Sequence, residues 1–210
     1  MQRLPIHYQL FIAGHSDKGK PHVHRGALEV ALAGALLVDL AFRGATALAG
    51  PRLVTRNPHD TGDPVANNAL RTIMAAGSGH DPRHWIERFA VSSYDTIADS
   101  LVTWGIVRRQ VQRRLGMTPA TRYPALGPDL NGKIRAQVRY AVTSGEYLPS
   151  VAAFWSFLRT LHLEARMHLN NPPELRVALD RMAQQQDPGI SDLIAATEHV
   201  LAARATAIYG

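Results

Sequence analysis

The sequence predicts a mainly α fold, namely a compact single-domain helical bundle with short peripheral β-hairpins. Apolar residues make up 46% and charged residues 19% of the chain, which is the balance of an ordinary globular protein. Helix starts that contain proline recur along the sequence, and two pairs of short extended segments are joined by turn residues. No stretch is typical of an interdomain linker and no internal repeat is visible, so residues 1–210 are interpreted as one domain.

The most apolar stretch, Ala27 to Phe42, predicts a central buried helix. It has 16 residues and contains two acidic side chains, whereas a membrane span needs roughly 20 residues with few charges. Gly34 indicates the close approach of another backbone, because glycine in an exposed helix costs ~1 kcal/mol relative to alanine. Arg43 and Gly44 predict the end of the helix, with a cation against the helix dipole and then a C-terminal glycine.

Extended segments are predicted on both sides of this helix. Residues 4–24 have the pattern of short extended pieces around a turn from Ser16 to Pro21. After the helix, Ala45–Ala49 and Arg52–Arg56 predict a β-hairpin that turns at Gly50-Pro51. A polar loop then leads from Asn57 to Asp63.

The remaining helices are predicted from their starts. Asp63-Pro64 and Asp81-Pro82 each place an N-cap aspartate before a proline at the first helical position. Ser92 begins another helix, with Asp95 three residues later as an approximate capping box. After Gly127 the pattern is helical to the end of the chain. Helix starts are expected there near four prolines, Pro128, Pro149, Pro172 and Pro188.

Two tryptophans fall on the apolar faces of these predicted helices. Trp85 follows the second Asp-Pro start, and Trp104 shares a helix face with Ile97 and Leu101 at helical spacing. We therefore predict that both tryptophans pack in the core, with the wall of a binding pocket as the alternative.

The sequence offers no convincing catalytic, metal or cofactor site. Asp60-Thr61-Gly62 matches the tripeptide of aspartic proteases, but that mechanism needs two carboxylates and no second copy is present, so we interpret it as a capping loop. His22 and His24, or His80 and His84, could form a metal pair, but no third ligand follows at a recognisable spacing. Phosphate-binding glycine loops and nucleophile elbows are absent from the sequence. We predict a non-enzymatic protein without cofactor or metal.

The charge balance indicates a polyanionic partner. The formal net charge is +6 and the pI is near 10.1, which favours nucleic acid, anionic lipid headgroups or an acidic protein. Cysteine is absent, so no disulfide framework can form and a reducing cytosol is expected. The first residues lack the apolar core and cleavage site of a secretion signal.

An arginine-rich segment from Ile106 to Pro124 carries much of this charge. Ile106–Arg114 and Thr118–Pro124 predict two strands that join at Leu115-Gly116-Met117. Its basic strands could lie on anionic lipid while the apolar tip enters the interface. The candidate contact residues are Arg108, Arg109, Arg113, Arg114, Leu115, Met117 and Arg122.

Two other interpretations of this segment stay open. It could contact DNA phosphates as the wing of a winged-helix domain, or it could be a solvated charged hairpin without a ligand. The helix before it carries Asp95 and Asp99 and is no basic recognition helix, so nucleic acid is the less favoured partner.

An ordered set of motifs resembles the Golgi phosphoprotein 3 family, particularly its short bacterial members. The set covers roughly residues 5–145, and each motif alone is modest. Its members are the stretch from Leu32 to Gly44, Thr61-Gly62-Asp63-Pro64, Asn68-Ala69-Leu70, Trp85-Ile86, Leu101 through Val107, Arg113 to Gly116 and Thr121 to Pro124.

The resemblance implies a compact helical domain with peripheral β-hairpins and without catalysis. It further implies recruitment to membranes by phosphatidylinositol 4-phosphate, a hairpin tip that inserts into the bilayer, and possible client membrane proteins. We therefore expect a cytoplasmic protein that is peripheral to the inner face of the membrane. Leu115-Gly116-Met117 occupies the place of the inserting tip.

The residues of the family's headgroup pocket are replaced in this sequence. In an ungapped alignment the pocket tryptophan falls at His24, and the three pocket arginines fall at Ala33, Val91 and Tyr94. Without these arginines an inositol phosphate loses charge-assisted hydrogen bonds, which predicts weak binding of phosphatidylinositol 4-phosphate. The candidates for an alternative headgroup pocket are His24, Arg25 and Arg88.

Overall fold

A computed structural model describes residues 4–77, 79–112 and 119–209 of the chain, and it confirms the predicted mainly α fold. Nine helices are present in these ranges: α1 (Ile6–Ala13), α2 (Arg25–Phe42), α3 (Pro64–Ala76), α4 (Pro82–Ala90), α5 (Ser93–Thr103), α6 (Leu130–Thr143), α7 (Pro149–Thr160), α8 (Pro173–Gln184) and α9 (Pro188–Tyr209). The four strands of the same ranges are β1 (Thr46–Ala49), β2 (Arg52–Thr55), β3 (Gln110–Gln112) and β4 (Ala120–Arg122). They form two antiparallel hairpins, β1–β2 and β3–β4.

The central helix is α2, as the apolar stretch predicts. It packs most extensively against α9, α4 and α1, and its side chains from Val30 to Leu40 are all buried. The helix begins two residues before the predicted Ala27, because the His24 side chain accepts a hydrogen bond from Gly26 N. Gly44 follows its end with a φ of 68°, a conformation in which glycine carries no steric cost.

Gly34 marks a close approach of α9, although its neighbour is a side chain rather than the predicted backbone. A Cβ atom at this position would overlap Thr197 Oγ1 and lie 2.9 Å from Thr197 Cγ2. Thr197 is itself fully buried, and its hydroxyl donates to Leu193 O within α9. The glycine therefore sets how closely the two helices can approach each other.

Replacing Gly34 by alanine is expected to lower the free energy of unfolding by roughly 1–3 kcal/mol, the usual cost of overpacking a core. The gain in helix propensity, ~1 kcal/mol, offsets part of the clash. Urea unfolding checks this, with Gly26→Ala as control because a Cβ atom there meets nothing closer than His24 Nδ1 at 3.3 Å. An equal effect of both substitutions would contradict the predicted helix contact.

The prediction of extended structure before residue 24 is wrong for α1. All eight residues of Ile6–Ala13 are buried, so the segment shows no polar face and its pattern cannot distinguish a short helix from a strand. Its start is also stabilised from outside the segment. The Asp39 carboxylate, on α2, accepts hydrogen bonds from Ile6 N at 3.1 Å and His7 N at 3.0 Å.

The starts that the prolines predict are confirmed for α3, α4, α7, α8 and α9. Asp63 accepts hydrogen bonds from Val65 N and Ala66 N at the start of α3, and Asp81 accepts one from Arg83 N at the start of α4. In α6 the cap is Asp129, in a left-handed conformation, one residue after the predicted Pro128.

Two details of α5 differ from the prediction. The helix starts after Ser92, but no side-chain capping bond forms there, and Asp95 pairs with Arg25. Trp104 was expected in the core with Trp85, which is fully buried, yet Trp104 is 43% exposed at the end of the helix. Part of its ring still contacts the bundle, 4.8 Å from the Tyr8 ring centroid.

Candidate lipid interface

The arginine-rich segment forms the predicted hairpin in the part that the structure describes. Gln110 pairs with Arg122 and Gln112 pairs with Ala120 in the antiparallel β3–β4 register. The pairing continues towards the bundle, where Arg108 N donates to Pro124 O at 3.0 Å. The predicted tip residues Arg113, Arg114, Leu115 and Met117 lie outside the described residues.

The three described hairpin arginines differ in how far their charges are compensated. Arg109 forms an ion pair with Asp99 of α5, and its guanidinium lies 5.8 Å from the Tyr123 ring centroid. Arg108 is exposed and Arg122 is half-buried. Neither of these two forms an ion pair within the described ranges, so their charges are directed to solvent or to a ligand.

Apolar side chains accompany these arginines on the surface. Val111 of β3, opposite Thr121, is 52% exposed. Leu126 is 55% exposed just after the hairpin, where its N–H donates to Ile106 O. Exposed apolar side chains beside cations are typical of surfaces that contact anionic membranes.

A turn that the sequence did not connect with this site packs against the hairpin. Tyr123 N donates to Gly19 O at 3.2 Å, which places the Ser16–Lys20 turn at the base of β4. The lysines on either side of Gly19, Lys18 and Lys20, are exposed. Their only signal in the sequence is their charge, because the contact is made by backbone atoms.

The alternative headgroup residues His24, Arg25 and Arg88 do not form a cluster of free cations. His24 caps α2, and the Arg88 guanidinium lies 5.8 Å from the Trp85 ring centroid. Among the described residues no hydrogen bond or ion pair joins the three to one another.

Arg25 is occupied by the protein itself. Its guanidinium donates to Glu29 Oε1 at 2.8 Å and to Asp95 Oδ2 at 2.6 Å, and it lies 4.4 Å above the Tyr94 ring. The Glu29 and Asp95 carboxylates therefore already occupy guanidinium N–H groups that a lipid phosphate would contact.

The three positions aligned with the family's pocket arginines carry uncharged side chains and differ in burial. Ala33 is fully buried in α2, and Val91 is 79% exposed after α4. Tyr94 is buried, and its hydroxyl lies 2.8 Å from Nε2 of His15. Its ring also packs against Phe11 and Tyr123 at 5.1 and 5.9 Å, so an aromatic cluster connects α1, α5 and the hairpin.

His15 in this cluster is neutral. Burial lowers its pKa to about 4, although the Phe11 carbonyl acts in the opposite direction. A neutral ring that donates from Nδ1 to Phe11 O, at 2.7 Å, can accept at Nε2 the proton of the Tyr94 hydroxyl. The cluster is thus a hydrogen-bonded support beneath the hairpin.

A second buried polar cluster was missed by the sequence analysis, because its members come from three separate helices or helix caps. His7 Nδ1 lies 2.7 Å from Asp39 Oδ2, and His7 Nε2 lies 3.3 Å from Asp63 Oδ2, an ion-pair distance. The Tyr8 hydroxyl donates to Asp63 Oδ1 at 2.9 Å. His7 is fully buried, so this cluster is unavailable to a substrate and serves to join α1, α2 and the α3 cap.

Burial alone would lower the pKa of His7, but the hydrogen bond with Asp39 and the negative charges of Asp39 and Asp63 outweigh burial and raise it. Burial acts to raise the pKa of Asp63, yet the ion pair with His7 and the hydrogen bonds from Tyr8 and Ala66 leave that pKa lowered. Both directions agree with an imidazolium held between two carboxylates.

The Asp60-Thr61-Gly62 tripeptide and the His80–His84 pair have ordinary structural roles. Asp60 Oδ1 accepts hydrogen bonds from Gly62 N and Asn67 Nδ2, as expected for a loop that precedes α3. The rings of His80 and His84 stack at 4.3 Å. Within the described residues no group of three or more histidines and carboxylates is arranged to hold a metal ion.

The structure thus defines a mainly helical protein with a basic hairpin at its periphery, and in the described ranges no helix is long and apolar enough to cross a membrane. The sequence matches the Golgi phosphoprotein 3 (GPP34) family over residues 6–205. The chain therefore belongs to the Golgi phosphoprotein 3 family, as its motifs indicate. A search of curated proteins found no matching sequence.

Proposed function

We propose that this Golgi phosphoprotein 3-like protein is a non-catalytic adaptor that associates peripherally with anionic membrane surfaces through the β3–β4 hairpin. Its place in the cell is then the cytoplasm, at the inner face of the membrane, where it can also engage client membrane proteins. The observation that carries the proposal is the hairpin surface itself. Arg108 and Arg122, without ion pairs in the described ranges, share one face of this hairpin by strand alternation, and the exposed Val111 lies on its other face.

The two kinds of side chain contribute to membrane binding in different ways. Each basic residue near an anionic bilayer contributes about 1 kcal/mol, and salt screens this attraction. Guanidinium groups suit lipid phosphate because they donate two parallel hydrogen bonds. Val111 and Leu126 add apolar area that leaves water when the hairpin enters the headgroup region.

Plain anionic lipid is the ligand that this surface favours over a specific inositol headgroup. The Arg25 guanidinium is already bonded to Glu29 and Asp95, and Tyr94 is bonded to His15. A phosphoinositide would therefore gain affinity mainly through its additional negative charge. On this proposal, phosphatidylinositol 4-phosphate is one anionic lipid among several rather than a pocket ligand.

The variant Arg108→Glu/Arg122→Glu is expected to bind vesicles of phosphatidylcholine and phosphatidylserine at least tenfold more weakly than the wild type. Removing two cations alone costs ~2 kcal/mol at such a surface, and the new carboxylates add repulsion. Co-sedimentation over a lipid titration measures the change. Vesicles with phosphatidylinositol 4-phosphate at matched surface charge test for a specific headgroup pocket.

The matched control is Arg52→Glu/Arg56→Glu. Either double variant replaces two cations with two anions, so both lower the formal net charge from +6 to +2. Arg52 and Arg56 are exposed at the β1–β2 hairpin, which follows the far end of α2, a helix of 18 residues and thus ~27 Å long. Equal losses in both variants would show that net charge, and not the β3–β4 hairpin, determines binding.

A further inference from the structure

The Ser16–Lys20 turn is held in a fixed position on the basic hairpin. Gly19 N donates to Ser16 O at 2.7 Å, and Ser16 N donates to Lys20 O at 2.9 Å, which closes the turn. The Ser16 hydroxyl oxygen also accepts from Lys20 N at 3.1 Å. The turn is therefore a rigid projection rather than a loose connection between α1 and α2.

Gly19 is the point of contact, and only glycine fits there. Its φ is +71°, and a Cβ atom would overlap the backbone of Tyr123 and Pro124. Gly19 is buried even though the residues on both sides of it are exposed. Because both contacting surfaces are backbone, neither can move aside by a change of rotamer. The turn is therefore held in one position relative to the hairpin.

The turn brings two cations to the base of the hairpin. Lys18 and Lys20 are two of the three lysines of the chain, and both are exposed. Neither forms an ion pair among the described residues. Lys18 and Lys20 are the sequence neighbours of Gly19, and Gly19 O accepts a hydrogen bond from Tyr123 N. Tyr123 directly follows Arg122, so both lysines lie close to this end of β4.

We propose that the Lys18–Lys20 turn and the β3–β4 hairpin form one continuous surface for lipid phosphate, with Gly19 as the positioning residue. This inference rests on the proposed function, because it adds a second element to the same interface. The lysines supply compact, strongly hydrated charges on flexible stems, which can follow phosphates at different depths, while the hairpin supplies the arginines and apolar groups.

A bilayer fits this surface better than a small phosphate ligand. The cations project from a turn and a hairpin rather than converging on a cavity, and a cavity at this junction that has Tyr123 and His15 in its wall is only about 10 Å³. The turn also carries the exposed carboxylate of Asp17.

The experiment compares Lys18→Glu/Lys20→Glu with the Arg52→Glu/Arg56→Glu control in the same vesicle titration. Removal of two contacts of about 1 kcal/mol each corresponds to a loss of at least tenfold in affinity for phosphatidylserine vesicles. The control is expected to bind at least threefold more tightly than the lysine variant. Affinities equal to each other would overturn the role of the turn.

A second pair of variants tests the positioning role without a change in charge. Gly19→Ala is expected to weaken vesicle binding severalfold because it displaces the lysines from the hairpin. Gly50→Ala is the control, since Gly50 also has a positive φ, 59°, but nothing lies within 4 Å of an added Cβ atom. Circular dichroism tests whether each variant is folded. If Gly19→Ala does not fold, the vesicle binding of Lys18→Glu/Lys20→Glu alone tests the role of the turn.

Failure of the inference can be distinguished from failure of the proposed function. If wild-type protein does not bind phosphatidylserine vesicles, the function is wrong and the inference falls with it. If wild type binds and only Arg108→Glu/Arg122→Glu weakens binding, the function stands and the role of the turn is wrong. Salt-sensitive binding to duplex DNA without binding to vesicles would overturn both.

Discussion

Replacing His7 by leucine is expected to lower the free energy of unfolding by roughly 3–5 kcal/mol, the effect of removing one partner from a buried ion pair. The imidazolium lies between the carboxylates of Asp39 and Asp63, which are themselves buried. Leucine would leave these carboxylates close together without a compensating cation. Urea unfolding at pH 6, where the wild-type ring is protonated in the folded and largely protonated in the unfolded state, measures the loss.

The control for this substitution is His199→Leu, because His199 is exposed on α9. Its change in unfolding free energy is expected to stay within ~0.5 kcal/mol, as for other surface substitutions. A double variant, His7→Leu with Asp39→Asn, should recover part of the loss because it removes one of the two unpaired charges. A loss below 1 kcal/mol in His7→Leu would mean that the wild-type cluster holds no ion pair.

The sign of the pH dependence follows from the raised pKa of His7. The folded state binds the proton more tightly than the unfolded state, so this contribution to stability is fully present below the ordinary histidine pKa near 6.5. It is lost as the pH rises through the folded-state pKa. The lowered pKa of Asp63 affects stability in acid. Its contribution to the free energy of unfolding is present above the ordinary aspartate pKa and is lost as the pH falls through the lowered pKa.

Features of the fold that depend on neighbouring residues could be predicted from the sequence. Asp63 before Pro64 begins α3 and Asp81 before Pro82 begins α4, because the aspartate accepts hydrogen bonds from N–H groups two or three residues away. The β1–β2 hairpin turns at Gly50 for another local reason, since its φ of 59° suits glycine. Gly34 was correctly linked to a close contact, but the identity of Thr197 required the packing of α9 against α2.

Features that depend on distant partners could not be predicted. The start of α1 is bonded to Asp39, which belongs to a different helix, and the sequence of α1 alone resembles an apolar strand. The same reason explains why His7 was missed as part of an ion-pair cluster. In the site, two extended segments joined at Leu115-Gly116-Met117 predicted the hairpin, whereas the link between Gly19 and Tyr123 is a backbone hydrogen bond that leaves no pattern in the side chains.

Acid is expected to destabilise the protein between pH 6.5 and about 4 through His15. Burial lowers the pKa of His15 to about 4, so in this range the unfolded state binds a proton that the folded state does not. Stability then falls as the pH falls, by roughly 3 kcal/mol over the range, since one pKa unit corresponds to ~1.4 kcal/mol. His22, with its lowered pKa, acts in the same direction. Urea unfolding at a series of pH values measures this slope.

The variant His15→Phe separates titration from packing. It loses the bond to the Tyr94 hydroxyl at every pH, so its stability is lower at pH 7, but its dependence on pH between 6.5 and 4 is expected to become much flatter. His15 lowers the stability of the wild type as the pH falls below 6.5, and the stabilising contribution of His7 declines as the pH rises above 6.5. We therefore expect the wild type to be most stable near pH 6.5. An unchanged acid slope in His15→Phe would show that the loss arises from other groups and that the ring beneath the hairpin is not held neutral.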